Sequence, residues 1–435
     1  MTRPRLELDV PEGFAAQARW TLETLLGACA APAAEAVRYG GSGGLDVSEQ
    51  AWGLFAGGEA FAPIVDDDGM LDFGDGARDL VASAFWHLSR YEERGGTRDE
   101  HGRFPASAAL ADPERPAVDS LLRAFRDHVG DRGATPFTVA LTHDVDIPWR
   151  WSRPQALRGA AARARAAARE RRSRDVLAEA AGLAAAPVRR LTRTDPNWSY
   201  ERIAAIERAH GGRSTYFVMA GHGHAADGPD PAAYDRLRPA IVAQIAAQGD
   251  EIGLHPSYLT SERPRLLAEE RERLEALTGG RVPGVRFHYL RHDTHATLPE
   301  LDALGFAYDS SQGYGDAIGL RAGFSFPYRP FRLAERRPLD LVELPMAVMD
   351  ATLAERRYLG LEPRAGLART LRLLERVADI GGTVAILWHT DRFSREYARG
   401  WDRVYADVLE WVADRGGRLV TAAEAVRAST LDTPA

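Results

Sequence analysis

The sequence predicts an α/β protein whose larger part is a parallel sheet or barrel wrapped by helices. Three observations carry this. Short apolar or β-rich runs recur at Ser214–Met219, Glu251–His255, Val285–Leu290, Phe306–Ser310, Val342–Met346 and Val384–Trp388. Helical stretches separate them, among them Pro239–Gln248, Arg263–Leu277 and Leu367–Asp379. Such alternation reads as βα units. Polar residues capable of chemistry stand at the C-terminal ends of several runs, where such folds collect functional groups.

With 435 residues the chain is long enough for two or three domains. Residues 1–133 form a first unit of unknown role, expected to be a smaller α/β or α+β domain. It carries a Gly-rich break at Gly40–Gly44 and a helical pattern over Leu80–Tyr91 that Asp79 could cap. A turn-rich boundary at Gly130–Ala134 ends it. The second unit, 134–430, opens with the strand Phe137–Thr142. An insertion at about 149–196 places Arg158, Arg163, Arg165, Arg169, Arg171, Arg172 and Arg174 in an alanine-rich background. Alanine and arginine favour helix, so a solvated helix or helical hairpin is expected. The other reading is a basic surface, 158–174, for an anionic membrane or for nucleotide-sugar phosphates.

Composition excludes several functions. Hydrophobic residues make up 45%, enough for sizeable cores, and the net charge of -7 gives no sign of nucleic-acid binding. Cys29 is the one cysteine, so no intrachain disulfide can form. Lysine is absent, which removes Schiff-base chemistry on this side chain. No apolar run approaches the roughly 18 residues of a membrane span, and no apolar segment follows the N-terminus. A cytoplasmic location is therefore expected. Oligomeric state is not legible.

Four clusters carry chemistry. In Thr142-His143-Asp144-Val145-Asp146, a strand runs into a loop with two carboxylates two residues apart. Two such groups repel unless a proton or cation lies between them. A turn-capping pair is the alternative. His255 ends the short run Glu251–His255 and precedes a proline, a suitable place for a metal-ligating imidazole. In Arg286-Phe287-His288-Tyr289-Leu290-Arg291, strand alternation would set Arg286, His288 and Leu290 against Phe287, Tyr289 and Arg291. A buried arginine needs a carboxylate, and Asp144 is the candidate. His389 ends Val384–Trp388, where an imidazole suits a general acid; a core histidine is the alternative.

The order and spacing of these clusters resemble the polysaccharide deacetylases of carbohydrate esterase family 4, the NodB-type fold. The resemblance covers about residues 136–427. Asp144 and Asp146 resemble its Asp-x-Asp first motif, and Gly249–His255 the opening of its second. Arg286–Tyr289 is similar to its Arg-x-Pro-Tyr motif, with His288 replacing proline. Leu387-Trp388-His389 is similar to its Leu-x-His motif. Phe85–Glu93 and Asp99–Phe104 resemble the uncharacterised domain preceding a bacterial subgroup of such proteins.

The resemblance implies a deformed (β/α) barrel and a metal-dependent hydrolase removing N-acetyl groups from an amino sugar. It implies zinc, or cobalt or another divalent ion, on Asp146 and His255. Asp144 would be the base, Arg286 its partner and His389 the acid. A backbone N–H near Tyr289 would stabilise the oxyanion. The family's second metal histidine falls on Leu259. His288 is the nearest replacement for it, with Asp391 or His292 as alternatives. Trp388 and Tyr314 are candidate walls of the sugar site, and Arg321 a candidate contact to an anionic substrate group. A cytoplasmic enzyme would meet a lipid- or nucleotide-linked N-acetylated sugar. The competing readings are a catalytically inactive carbohydrate-binding or scaffolding protein, and a metal hydrolase of another amide or ester.

Overall fold

A computed structural model describes residues 4–57, 63–150, 155–169, 173–192, 195–228, 231–394 and 399–429. The α/β class and the deformed barrel expected from the sequence are both present. Its strands are β1 (Thr138–Val145), β2 (Ser214–Met219), β3 (Glu251–His255), β4 (Gly284–Val285) and β5 (Tyr308–Asp309), then β6 (Val342–Glu343), β7 (Met346–Met349), β8 (Thr383–Leu387) and β9 (Arg418–Val420).

All pairings in this sheet are parallel, in the order β6-β5-β4-β3-β2-β1-β8-β7. β9 pairs with Thr138–Ala140 of β1, and β2 with Leu141–Val145. β6 and β7 lie at opposite ends of that order yet are separated by only Leu344 and Pro345. Leu344 N–H still donates to Asp309 of β5, whereas the Pro345 carbonyl accepts from Ala385 of β8. The chain changes partner at the residue that has no N–H to give, so one bent segment links the two edges of the sheet.

β1 is buried along its whole length. Its apolar residues pack with Tyr216, Leu254, Trp388 and Tyr405 in the largest core. A parallel strand covered on both faces must be continuously apolar or internally satisfied. Besides Thr138, Thr142 and Asp144, the buried polar residue of this strand is His143. Its Nδ1 lies 2.7 Å from the Trp388 carbonyl and its Nε2 2.8 Å from Glu207, which also accepts from Tyr405. It is a structural histidine tying β1 to β8.

Three expected strands are shorter than their apolar runs. After Val285 the chain leaves the sheet for a short turn at His288–Leu290, in which Tyr289 and Leu290 have φ of 61° and 55°. The alternation expected along Arg286–Arg291 therefore does not exist. Phe306–Ser310 keeps only Tyr308–Asp309 as strand, and Val342–Met346 is split at Pro345.

The insertion folds as two packed helices, Gln155–Arg169 and Ser173–Thr192. Arg150 and Arg163 both reach the buried carboxylate of Glu179. Arg171 and Arg172 of the expected basic surface lie outside the described residues. No described helix is long and apolar enough to cross a membrane.

The N-terminal unit combines a parallel pair, Arg5–Leu8 with Ala36–Tyr39, and a small antiparallel pair with the helices Glu12–Gly27, Glu49–Phe55, Leu80–Leu88 and Ala117–His128. Asp79 caps Leu80–Leu88 by accepting from Ala82 N–H. Cys29 is buried, and burial, then Asp131, pushes its thiol up to about 12, as expected of an inert core residue. The core of this unit is shared with the barrel: Phe324, Phe326, Tyr328 and Phe331 join Phe14, Trp20 and Phe85. Buried Glu93 accepts from Arg90 of its own unit and from Arg321 and Thr294 of the barrel.

Candidate metal centre

The site is assembled at the C-terminal ends of the strands. β1 delivers Asp144 and, one residue beyond its end, Asp146. β3 ends on His255. The turn after β4 carries His288, β7 is followed by Asp350, and β8 by His389. Parallel strands all deliver their ends to the same face, which brings residues remote in sequence together.

Asp146, His255 and His288 each point one ligand atom into a space where all three lie within 4.8 Å of one another. His255 Nε2 is 3.1 Å from Asp146 Oδ1 and 3.8 Å from Asp144 Oδ2. His288 Nε2 and His389 Nε2 are each 3.6 Å from Asp146 Oδ2. Asp144 Oδ1, Asp146 Oδ1 and His255 Nε2 are buried with no hydrogen-bond partner among the described residues. Buried polar atoms rarely stay unpaired. A carboxylate with two imidazoles is a donor set that suits a divalent cation such as zinc, so the residues present fit one.

The outer contacts settle the imidazole orientations. His255 Nδ1–H donates to the Arg286 carbonyl (2.6 Å), which leaves Nε2 with its lone pair toward the site. His288 Nδ1 meets Asp227 Oδ1 at 3.3 Å. Asp227 is itself fixed by the N–H groups of Gly223 (2.9 Å), His224 (2.9 Å) and Tyr258 (2.6 Å). Burial disfavours the His288 cation, but Asp146 and Asp227 outweigh it and raise its pKa to about 9. A proton and a metal would therefore compete for its Nε2. Burial likewise works against the Asp146 carboxylate, yet the neighbouring imidazoles hold it well below the usual range.

Asp144 is 3% exposed and lies 3.7 Å from Arg286 Nη1. Arg286 is fully buried and donates to Thr142 Oγ1 (2.7 Å) and to Ser310 Oγ (2.7 Å) and carbonyl (2.8 Å). His389 Nδ1 is 2.6 Å from buried Asp350, whose other oxygen accepts from Arg392. Burial alone would lower the pKa of His389, but Asp350, then Asp146 and Asp144, raise it well above the ordinary value.

A cavity of about 210 Å³ opens over these groups. Asp144, Asp146, His288, Tyr289 and His389 line it, and Arg103 of the N-terminal unit also reaches it. Tyr289 and Leu290, both non-glycine with positive φ, are costly conformations of roughly 1–2 kcal/mol each.

The remaining sequence candidates sit elsewhere. Trp388 is fully buried with its Nε1–H on the Trp401 carbonyl, so it packs the barrel core and does not wall the cavity. Tyr314 is 3% exposed and meets Arg90 through its hydroxyl. Arg321 is held by Glu93 at 2.7 Å, so its charge is already matched and it is closed to substrate. Side-chain direction and remote partners decide these three cases, and neither is local in sequence. Leu259 is half-buried. His292 is buried against its own turn, and Asp391 lines the cavity; neither belongs to the ligand cluster among the described residues.

Three contributors carry no cue strong enough to single them out. Asp350 directly follows the apolar strand β7, much as Asp146 stands just beyond β1, a position that a search of strand ends could have used. Asp227 ends a short 3-10 turn, Ala225–Asp227, between β2 and β3. Arg103 belongs to the other unit.

A family of unknown function, DUF7033, matches residues 51–132. No curated protein matches the chain. Among solved structures, the chain is similar to a Mycobacterium smegmatis protein named as a candidate polysaccharide deacetylase. There the identity is 18% and the TM-score 0.43, over 68% of this chain and 93% of that one. It is also similar to a family 4 carbohydrate esterase pseudoenzyme from Bacillus anthracis, with 13% identity and a TM-score of 0.36, over 68% of this chain and 66% of that one. A third is the chitin deacetylase of Colletotrichum lindemuthianum, with 14% identity and a TM-score of 0.35, over 67% of this chain and 88% of that one.

Proposed function

We propose that this protein is a metal-dependent hydrolase that removes N-acetyl groups from an amino sugar. One observation carries the reading: three convergent ligands, Asp146, His255 and His288, flanked by a buried carboxylate paired to arginine and by an imidazole paired to aspartate. The N-acetylated sugar as substrate rests on the motif resemblance, and a lipid- or nucleotide-linked form is the specific expectation.

A divalent ion bound there supplies Lewis acidity and lowers the pKa of water. Asp144 accepts the proton of the attacking water, and Arg286 orients it. His389 enters as the cation, as its surroundings favour, and gives its proton to the departing amine nitrogen. Asp350 holds the imidazole by Nδ1, so Nε2 is the atom that delivers the proton. A backbone N–H near Tyr289 faces the developing oxyanion.

The test uses the full chain with zinc or cobalt. Metal affinity is measured by chelator competition, and acetate release from triacetylchitotriose is followed for wild type, Asp144→Asn and His255→Ala. Metal binding, with acetate release abolished in both variants, is expected. Absence of metal binding and of acetate release would favour the non-catalytic carbohydrate-binding alternative, which Leu259 supports. Release of ammonia in place of acetate from amide substrates would favour a hydrolase of another amide.

A further inference from the structure

We infer that the N-terminal unit completes the candidate active site through Arg103, a positioning residue that clamps the carbonyl of Tyr289 and so fixes the turn beside the metal ligand His288. Its activity arm rests on the deacetylase reading; its structural arm does not.

Two adjacent non-glycine residues with positive φ, Tyr289 and Leu290, persist only where their surroundings leave no alternative. The barrel supplies part of those surroundings, packing Leu290 against Met346, Met349 and Leu387, and the N-terminal unit supplies the rest. Arg103 Nη1 donates to the Tyr289 carbonyl at 3.0 Å, across 186 residues of sequence. Arg103 is 5% exposed, so little water competes for this bond. Its guanidinium is aimed by Asp99, which accepts from Nε (2.8 Å) and also from the Arg103 backbone N–H (2.9 Å). Gly315 leaves the space: a Cβ there would lie 2.2 Å from Arg103 Nη1.

Neighbouring contacts act on the same turn. Arg291 donates to the His101 carbonyl at 2.8 Å, the His101 ring lies 4.6 Å from that of Tyr289, and Arg98 pairs with Asp293 at 3.0 Å. Residues 98–103 thus hold 289–293 from several sides. Fixing the Tyr289–Leu290 peptide also fixes the adjoining Tyr289 N–H. His288 keeps its separate anchor on Asp227. The clamp therefore serves the backbone donor rather than the ligands, and this gives the family of unknown function matched at 51–132 a role in this chain.

The test compares full-length wild type with Arg103→Ala, Arg103→Lys and Gly315→Ala, the last displacing the guanidinium from the barrel side. Hydrogen exchange of the peptide spanning 286–296, zinc affinity, and acetate release from triacetylchitotriose are measured. Arg103→Ala and Gly315→Ala are expected to speed exchange in that peptide about tenfold while the core strands keep their protection. Zinc affinity should stay within about threefold. The kcat should fall on the order of 100-fold with KM little changed. Arg103→Lys, which keeps one donor, should recover part of it. Unchanged exchange in both variants, exchange raised throughout the chain, or zinc affinity falling in step with kcat would overturn the inference. A wild type that binds zinc but releases no acetate would overturn the deacetylase reading alone, and the exchange data would still decide the clamp.

Discussion

Replacing Glu93 with glutamine should destabilise the protein by about 3–5 kcal/mol, the usual cost of removing one member of a buried ion cluster. Glu93 Oε1 accepts from Arg90 Nε at 2.8 Å and Arg321 Nε at 2.7 Å. Its Oε2 accepts from Arg321 Nη2 at 2.7 Å and Thr294 Oγ1 at 2.8 Å. The side chains of Glu93 and Arg321 are 2% and 1% exposed, so water cannot replace the lost charge. A glutamine retains one oxygen and turns an N–H toward groups that are themselves donors. Arg90 keeps Glu92 at 2.8 Å, whereas the other acceptor of Arg321 is the Gly313 carbonyl at 3.5 Å, so the loss falls on Arg321. Burial works against the Glu93 carboxylate, but Arg321 and Arg90 outweigh it and hold it well below the usual range. A depressed folded pKa means stability that is present above the unfolded value of about 4.3 and is lost as pH falls below it. Urea unfolding of wild type and Glu93→Gln at pH 7 and pH 4 measures both effects. The difference between the two proteins should shrink at pH 4. The double variant Glu93→Leu with Arg321→Leu should recover most of the loss, because a matched apolar pair needs no counter-charge. A cost below about 1 kcal/mol would instead show that the cluster behaves as a solvated surface pair.

Asp350→Asn should lower kcat for acetate release on the order of 10²–10⁴-fold, the contribution of a positioned general acid, while zinc affinity measured by chelator competition is unchanged. Thermal stability should fall as pH rises from about 4 to 7 through Asp119. Burial raises its pKa to about 7, against the opposing bonds from Ser325, so the folded state holds a proton that the unfolded state releases. Melts of Asp119→Asn across that range should show a flatter slope. Trp388→Phe should cost about 2–4 kcal/mol in urea unfolding, from lost packing and the lost bond to Trp401, with KM for the acetylated sugar unchanged. A selective rise in KM would return Trp388 to the substrate site.

Much of the site was legible because its groups sit at strand ends. Asp144, Asp146, His255 and His389 each close an apolar run, and in a parallel sheet every such end faces the same way. That geometry follows from the order of elements alone, and the motif spacing separated ligand from base as an expectation. His288 is the nearest candidate in sequence for the ligand missing at Leu259. The structure does bring it to Asp146 and His255, but by a left-handed turn rather than by the strand alternation that had been expected.

Local pattern by itself determined the α/β class, the strand-end placement of Asp144, Asp146, His255 and His389, and the helical character of the insertion. These depend on periodicity and polarity over a few residues. Tertiary structure alone decided which buried polar groups were already matched and which were left facing the site. Trp388, Tyr314 and Arg321 carry chemistry suited to a sugar site, yet each is satisfied by a remote partner: Trp401, Arg90 and Glu93. Asp227, Asp350 and Arg103 are unremarkable in sequence and gain importance only through the atoms they meet. A side chain's role depends on its desolvation and on its partners, and both are set by contacts between segments far apart in the chain.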